Sequence, residues 1–287
     1  MLTGASVHTD FLQTTLGRSG KQVHRLGLSA TYRPGRNTVL KAIEEGMNFF
    51  FLFGFDTQMT SVLRTELKRH RERYVVATGA YNLLFGHPSL RRTLEKRLRQ
   101  LDTEYIDVFL FLGVTRGKQF SERDREELYR FRQEGKVQCV GMSSHDRIFA
   151  GKLAAQGALD VIMIRYNAAH RGAEADIFPY LTAHNPGVVS YTATRWTALL
   201  RRPGGWPEAS PVPSAGMCYR FVLSNPHVHV CLTAPRTMHE LQENLAAVRQ
   251  GPLSDEEMEF MHRFGSSVYA AARKPRWQQP VPFEAAR

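Results

Sequence analysis

Short runs of β-branched and aromatic residues with no polar face recur along this chain, and each is followed by a stretch of helical periodicity. Val75-Val76-Ala77-Thr78 and Val108-Phe109-Leu110-Phe111 are of this kind. So is Phe49-Phe50-Phe51-Leu52, reached through Gly46 at the end of a helical pattern and left through Gly54. A strand that shows water no polar side must be covered on both faces, which is the condition of a parallel sheet wrapped by its own crossover helices. The pattern predicts a short strand at Arg25-Leu26-Gly27-Leu28-Ser29 and further strands at 48–52, 74–78, 106–111, 137–142, 160–165, 187–192 and 228–232. Helices are predicted between and after them at 37–45, 58–70, 89–101, 121–134, 146–156, 173–183, 214–224 and 237–248. Eight such units give an α/β fold of the (α/β)8 TIM-barrel type. Ahead of them, alternating stretches around Leu16-Gly17-Arg18-Ser19-Gly20-Lys21 predict a β-hairpin with Gly20 at its turn. Behind them, Ser254-Asp255-Glu256-Glu257 opens an extra C-terminal helix with a serine cap and an acidic first turn. No shift in composition marks a linker, so residues 1–287 are expected to be one domain, with the Pro-rich 274–287 a mobile tail.

Lys and Arg number 38 against 27 Asp and Glu, a formal net charge of +11. Such an excess suits nucleic acid, an anionic cofactor or merely a basic surface. The charges are scattered over several helices, as in Lys68-Arg69-His70-Arg71, and no zinc-finger spacing or RNP-like motif accompanies them. Solvated helix faces are therefore expected, with no nucleic-acid partner. Cys139, Cys218 and Cys231 are widely spaced in apolar surroundings, which predicts free core thiols in a reducing compartment. No leader pattern and no membrane-length apolar run is present, so a cytoplasmic protein with no membrane partner is expected. His227 and His229, at strand spacing, could face one side and bind a metal, but they belong to the start of the last strand, where barrel residues serve stability; no metal site is expected.

Several segments together resemble the aldo-keto reductase superfamily over roughly residues 12–270. They are Thr15-Leu16-Gly17-Arg18-Ser19-Gly20, Ala42-Ile43-Glu44-Glu45-Gly46-Met47-Asn48-Phe49-Phe50, Tyr105-Ile106-Asp107-Val108, Val140-Gly141-Met142-Ser143-Ser144, Arg165-Tyr166-Asn167, Tyr191-Thr192-Ala193-Thr194 and Glu243-Asn244-Leu245. The resemblance implies a barrel whose floor is closed by the hairpin and an NADP cofactor bound without a Rossmann fold. In keeping with that, no G-x-G-x-x-G follows any predicted strand. It also implies a catalytic tetrad of Asp, Tyr, Lys and His, with the tyrosine as general acid. Carried over one position at a time, those roles fall on Phe51, Asp56 (Phe55 if the loop is one residue shorter), Gly79 and Leu112, so all four are empty. Phe51, Leu112 and Met163 then predict an apolar chamber, and Gly79 predicts the volume of a lysine side chain left open.

The cofactor positions implied by the resemblance fall on Ser143, Ser144 and Met163 for the nicotinamide carboxamide and on Tyr191 for stacking. Thr192, Ala193, Thr194 and Arg195 fall along the pyrophosphate, and Arg236, Glu240, Glu243 and Asn244 at the adenosine end. With the tetrad empty, the remaining catalytic candidates are Asp56, Tyr81 and His145. Arg165 and Asn167 read either as a structural network at a barrel corner or as substrate-binding groups, and Tyr32, just past a strand end like Tyr81, joins the substrate-site candidates as a group that could donate a proton. Ser144-His145-Asp146 contains the residue types of a nucleophilic triad, but the start of a helix there accounts for Ser and Asp as caps. The expected function is an NADP-dependent oxidoreductase acting on a small organic substrate without the usual tetrad, an already activated substrate being one that would need hydride but no strong acid. The alternatives are a cofactor-binding scaffold without turnover, or a non-redox lyase or cyclase.

Overall fold

The computed structural model describes residues 9–54, 56–81 and 88–272. In chain order it forms α1 (Thr9–Leu12), the hairpin strands β1 (Gln13–Thr15) and β2 (Gln22–His24), and then β3 (Leu26–Ser29), β4 (Phe49–Phe51), β5 (Val75–Tyr81), β6 (Ile106–Val114), β7 (Val137–Ser144), β8 (Val161–Arg165), β9 (Gly187–Tyr191) and β10 (Val230–Thr233). β3 to β10 pair in parallel in sequence order and β10 closes onto β3, so the expected (α/β)8 barrel is what the chain forms. Around it run α2 (Arg36–Glu44), α3 (Thr57–Arg69), α4 (Leu90–Leu101), α5 (Glu122–Gln133), α6 (Arg147–Ala155), α7 (Ala173–Asp176), α8 (Ala215–Ser224) and α9 (Met238–Val248), with the extra α10 (Asp255–Ala271) beyond them. The tail expected at 274–287 lies outside the described residues. Among the described residues no helix is long and apolar enough to cross a membrane.

Alternation along each barrel strand divides its side chains between two apolar clusters. Phe49, Phe51, Val75, Ala77, Val108, Leu110, Leu112, Val161 and Met163 fill the barrel interior. Phe50, Val76, Phe109, Val140 and Ile162 meet the helices. This is why the runs show no polar face: the period of two is present, but both faces are dry. Gln138, at the start of β7, is exposed and needs no buried partner. The three cysteines are free and buried. The predicted helix at 173–183 is cut to α7 and a turn of 3-10 helix at Phe178–Tyr180. Pro179 explains this, because its ring clashes with the preceding turn and it has no N–H to donate.

The floor is where the chain is fastened. Leu16 and Val23 of the hairpin plug the barrel interior. Gly17 has a φ of +47° and lies so close to the backbone of Pro186 and Gly187 that a side chain would not fit. Beside the plug, Asp107 accepts hydrogen bonds from Lys21 Nζ at 2.8 Å, Arg71 Nη2 at 2.7 Å and the Val76 amide at 2.9 Å. Asp160 accepts from Arg18 Nη2 at 2.9 Å, Arg132 Nη1 at 2.9 Å and the Val140 amide at 3.0 Å. Asp107 is 1% exposed and Asp160 8%. A buried carboxylate is tolerated only when its charge and lone pairs are met, and here each has two cations and a backbone donor. Removing the Asp107 charge would strand Lys21 and Arg71, so Asp107→Asn should cost about 3–5 kcal/mol in a denaturant titration. Asp102→Asn, whose partners Arg64 and Lys68 lie in solvent, should move the denaturation midpoint far less.

Candidate active site

The C-terminal ends of the strands open into a cavity of about 610 Å³. Its two sides differ in chemistry. Among the described residues, the lining from β4 to β6 is Phe51, Phe53, Tyr81, Leu112 and Gly113, with no charged group; from β7 to β10 and the loops that follow them it includes Ser143, His145, Arg165, Tyr191, Thr192, Arg236 and Glu240. On the apolar side the Phe51 and Phe53 rings stack at 6.2 Å, and Phe53 meets Tyr81 edge to face at 5.4 Å. On the polar side the Ser143 hydroxyl accepts a hydrogen bond from the Gly113 amide at 2.8 Å. The Tyr191 hydroxyl lies 3.4 Å from His145 Nε2, their rings edge to face at 6.0 Å. Burial pushes the Tyr191 phenol far above its ordinary pKa. Desolvation, followed by the Arg165 charge, lowers that of His145 even though its side chain reaches solvent at the mouth. Both rings are therefore neutral at neutral pH.

The loop after β9 is strained. Thr192, Arg195, Trp196 and Thr197 have φ between 50° and 67°, in the left-handed region that costs a residue with a side chain about 1–2 kcal/mol. Asn167 holds the loop by donating from Nδ2 to the Thr192 carbonyl at 2.9 Å, and Arg195 Nη1 donates to the Val268 carbonyl at 2.6 Å. One result is that Trp196, 64% exposed, stands in the cavity wall. No motif in the sequence marks Trp196 or Tyr219, which also lines the cavity. Their places depend on the left-handed turn and on how α8 packs.

Of the residues singled out from sequence, Tyr32, Tyr81, His145, Ser143, Met163, Arg165, Tyr191, Thr192, Ala193, Thr194, Arg236, Glu240, Glu243 and Asn244 come together around this cavity. Four do not, and each has a local task. Asp56 caps α3, its Oδ1 accepting from the Gln58 and Met59 amides at 2.8 and 3.0 Å. The Ser144 hydroxyl accepts from the Asp146 amide at 3.0 Å and so shapes the turn in which Asp146 caps α6. Asn167 is fully buried and ties the loop, and Arg195 is spent on Val268. Phe51 and Leu112 line the cavity as expected, but Gly79 does not leave room for a long side chain. It pairs with Leu110 across the sheet, and a Cβ built on it would fall on the Leu110 carbonyl oxygen. The position Phe55, the alternative to Asp56, lies outside the described residues. His227 and His229 sit at the opposite end, where His229 Nδ1 accepts from the Val188 amide at 3.0 Å and His227 stacks on Phe178 at 5.3 Å.

The sequence profile of the Aldo/keto reductase family matches residues 37–203, more than half of the chain. The chain belongs to the aldo/keto reductase family. Solved members resemble it closely in fold. An aldo-keto reductase from Bacillus halodurans, in its holo form, is 20% identical with a TM-score of 0.72 over 88% of this chain and 95% of that one. An aldo/keto reductase from Klebsiella pneumoniae in complex with NADP and acetate is 21% identical, with a TM-score of 0.68 over 92% of this chain and 98% of that one. A Klebsiella pneumoniae aldo-keto reductase in complex with NADPH is 20% identical, with a TM-score of 0.67 over 88% and 95%. At this identity the likeness is one of fold.

The residues present fit a nicotinamide dinucleotide along the polar side, where Tyr191 offers a half-buried ring and Thr192 to Thr194 line the same cavity. The fit is weaker at Met163, whose thioether is a poor acceptor. On the other side, nothing at Phe51, Gly79 or Leu112 can carry a proton. Because the Asp56 carboxylate serves the helix and not the cavity, Asp56→Ala should lower stability by about 0.5–2 kcal/mol in thermal or denaturant melts. It should leave ligand binding in the cavity unchanged; a loss of binding without loss of stability would place Asp56 in the site.

Proposed function

We propose that this protein is an NADP-dependent oxidoreductase that reduces a small organic substrate already activated toward hydride, such as an iminium ion, without the family's acid–base set. What supports this reading is the division of the mouth: polar groups line the side where the resemblance implies the cofactor, and the hydrocarbon of Phe51 and Leu112 lines it at two of the positions where it implies the tetrad. The Klebsiella pneumoniae relatives in complex with NADP and NADPH agree with it. Tyr191, Ser143 and Thr192 to Thr194 would hold the nicotinamide end and the pyrophosphate, with Arg236, Glu240, Glu243 and Asn244 toward the adenosine. When bound, a reduced nicotinamide supplies a hydride.

The chain's own residues then restrict the substrate. Phe51 and Leu112 exclude water and donate nothing. A carbonyl oxygen must gain a proton as hydride reaches carbon, whereas an iminium is neutralised by hydride alone and needs no acid. Among the described residues, Tyr81, Tyr32, Tyr191 and His145 are phenol and imidazole groups in the mouth, and none of them is bonded to a lysine. The lack of an acid or base at Phe51 and Leu112 is equally compatible with the competing readings, a cofactor-binding scaffold or a lyase or cyclase.

Turnover decides between them. With NADPH, the protein should reduce a preformed cyclic iminium and leave an aromatic aldehyde of the same size untouched. NADPH oxidation with neither substrate, despite tight cofactor binding, would leave the scaffold or lyase reading. Arg236 lies over the Tyr32 ring at 5.0 Å in the cavity wall. If it meets the 2′-phosphate, Arg236→Ala should weaken NADPH relative to NADH by roughly ten- to hundredfold in a binding titration, the worth of a charge-assisted contact. Equal weakening of the two would place Arg236 elsewhere.

A further inference from the structure

Arg165 is the last residue of β8. It has the same inward direction as Met163 two residues earlier, and it lies level with Tyr191 on β9. It is half-buried in the cavity wall, and among the described residues it has no hydrogen-bond or ion-pair partner. A guanidinium carries five donors and keeps its proton, so a half-buried one without a partner is a charge awaiting an anion. The neighbouring groups cannot supply it. Arg147 already holds Asp176 at 2.6 Å, and Glu174 accepts from the Tyr166 hydroxyl at 2.7 Å. Glu240 and Glu243 line the cavity from α9, beyond β10; Glu240 accepts from the Arg236 amide at 2.7 Å and Glu243 lies 3.5 Å from His239. The surrounding field is positive: His170 is held down to about 3 by desolvation and then by Arg165, Arg195 and Arg147. Met163 precedes Arg165 by two residues on the same strand, and across the same cavity stands the hydrocarbon of Phe51 and Leu112.

We infer that the molecule taken up by this cavity is an organic acid with an apolar body, its carboxylate bound by Arg165 and its body lodged against Phe51 and Leu112. A carboxylate matches the guanidinium fork with two parallel hydrogen bonds. The neutral Tyr191 hydroxyl and His145 imidazole, on the same side of the mouth, can add uncharged contacts to it. This deepens the proposed oxidoreductase reading by naming the substrate class, and rests on that reading only in taking the cavity as the substrate site.

The test is a calorimetric titration of the intact protein with 2-naphthoate and with 2-naphthamide, which has the same body without the charge. Wild type should bind the acid about ten- to hundredfold more tightly. Arg165→Gln should erase that preference while keeping the melting temperature, and Arg165→Lys should restore part of it. Equal binding of acid and amide by wild type overturns the inference without any variant, as does failure to bind either, or a preference that survives Arg165→Gln. If Arg165→Gln instead weakens NADPH as much as it weakens naphthoate, Arg165 serves a cofactor phosphate and the organic-acid inference falls. A wild type that prefers naphthoate but binds no NADPH would support the organic-acid site while removing the oxidoreductase reading.

Discussion

Asp107 and Asp160 are buried carboxylates at the barrel floor, each gripping one cation from the N-terminal hairpin, one from the barrel's surroundings, and the amide at or near the start of a neighbouring strand. The interior of an eight-stranded parallel barrel is filled by side chains, and at the floor that packing needs a lid against water. Leu16 and Val23 provide the plug, and the two carboxylates keep it seated. Because the fastening is at the N-terminal end, the C-terminal ends of the strands are free to differ in chemistry without loosening the barrel. That is why a mouth with hydrocarbon at Phe51 and Leu112 is compatible with the family's fold.

The barrel was legible because its strands are dry on both faces, and Phe49, Phe50 and Phe51 show this most clearly: successive rings go to the interior, the helix layer and the interior again. The hairpin was legible from Gly20, which takes the left-handed conformation at its turn. Other features were not. Pro179 shortens a helix that periodicity alone would carry to 183. Asp56 carries a carboxylate just past a strand end, which put it among the catalytic candidates, whereas its bonds to the Gln58 and Met59 amides make it the cap of α3. At Gly79 the absence of a side chain was read as open volume, but the strand pairing brings the Leu110 carbonyl into that space. Sequence reports which atom is missing there and not what has moved in.

The mouth works by contrast between its walls. One wall is rings and hydrocarbon from β4 to β6. The other, from β7 to the loop after β10, holds a desolvated arginine, two neutral rings in contact and a loop kept in left-handed conformation by Asn167 and Arg195. Asn167 and Arg195 do their work without lining the cavity, since they fix where Thr192 and Trp196 stand. Strain of this kind persists only where the surroundings over-determine it, and it collects at binding loops.

The polar wall is proposed to accommodate a nicotinamide dinucleotide although Phe51 and Leu112 opposite it offer neither acid nor base. Calorimetric titration of the wild-type protein with NADPH measures this most directly, since it asks nothing about substrate or turnover. The account predicts saturable binding of one cofactor per chain. Absence of any binding up to millimolar NADPH would contradict it.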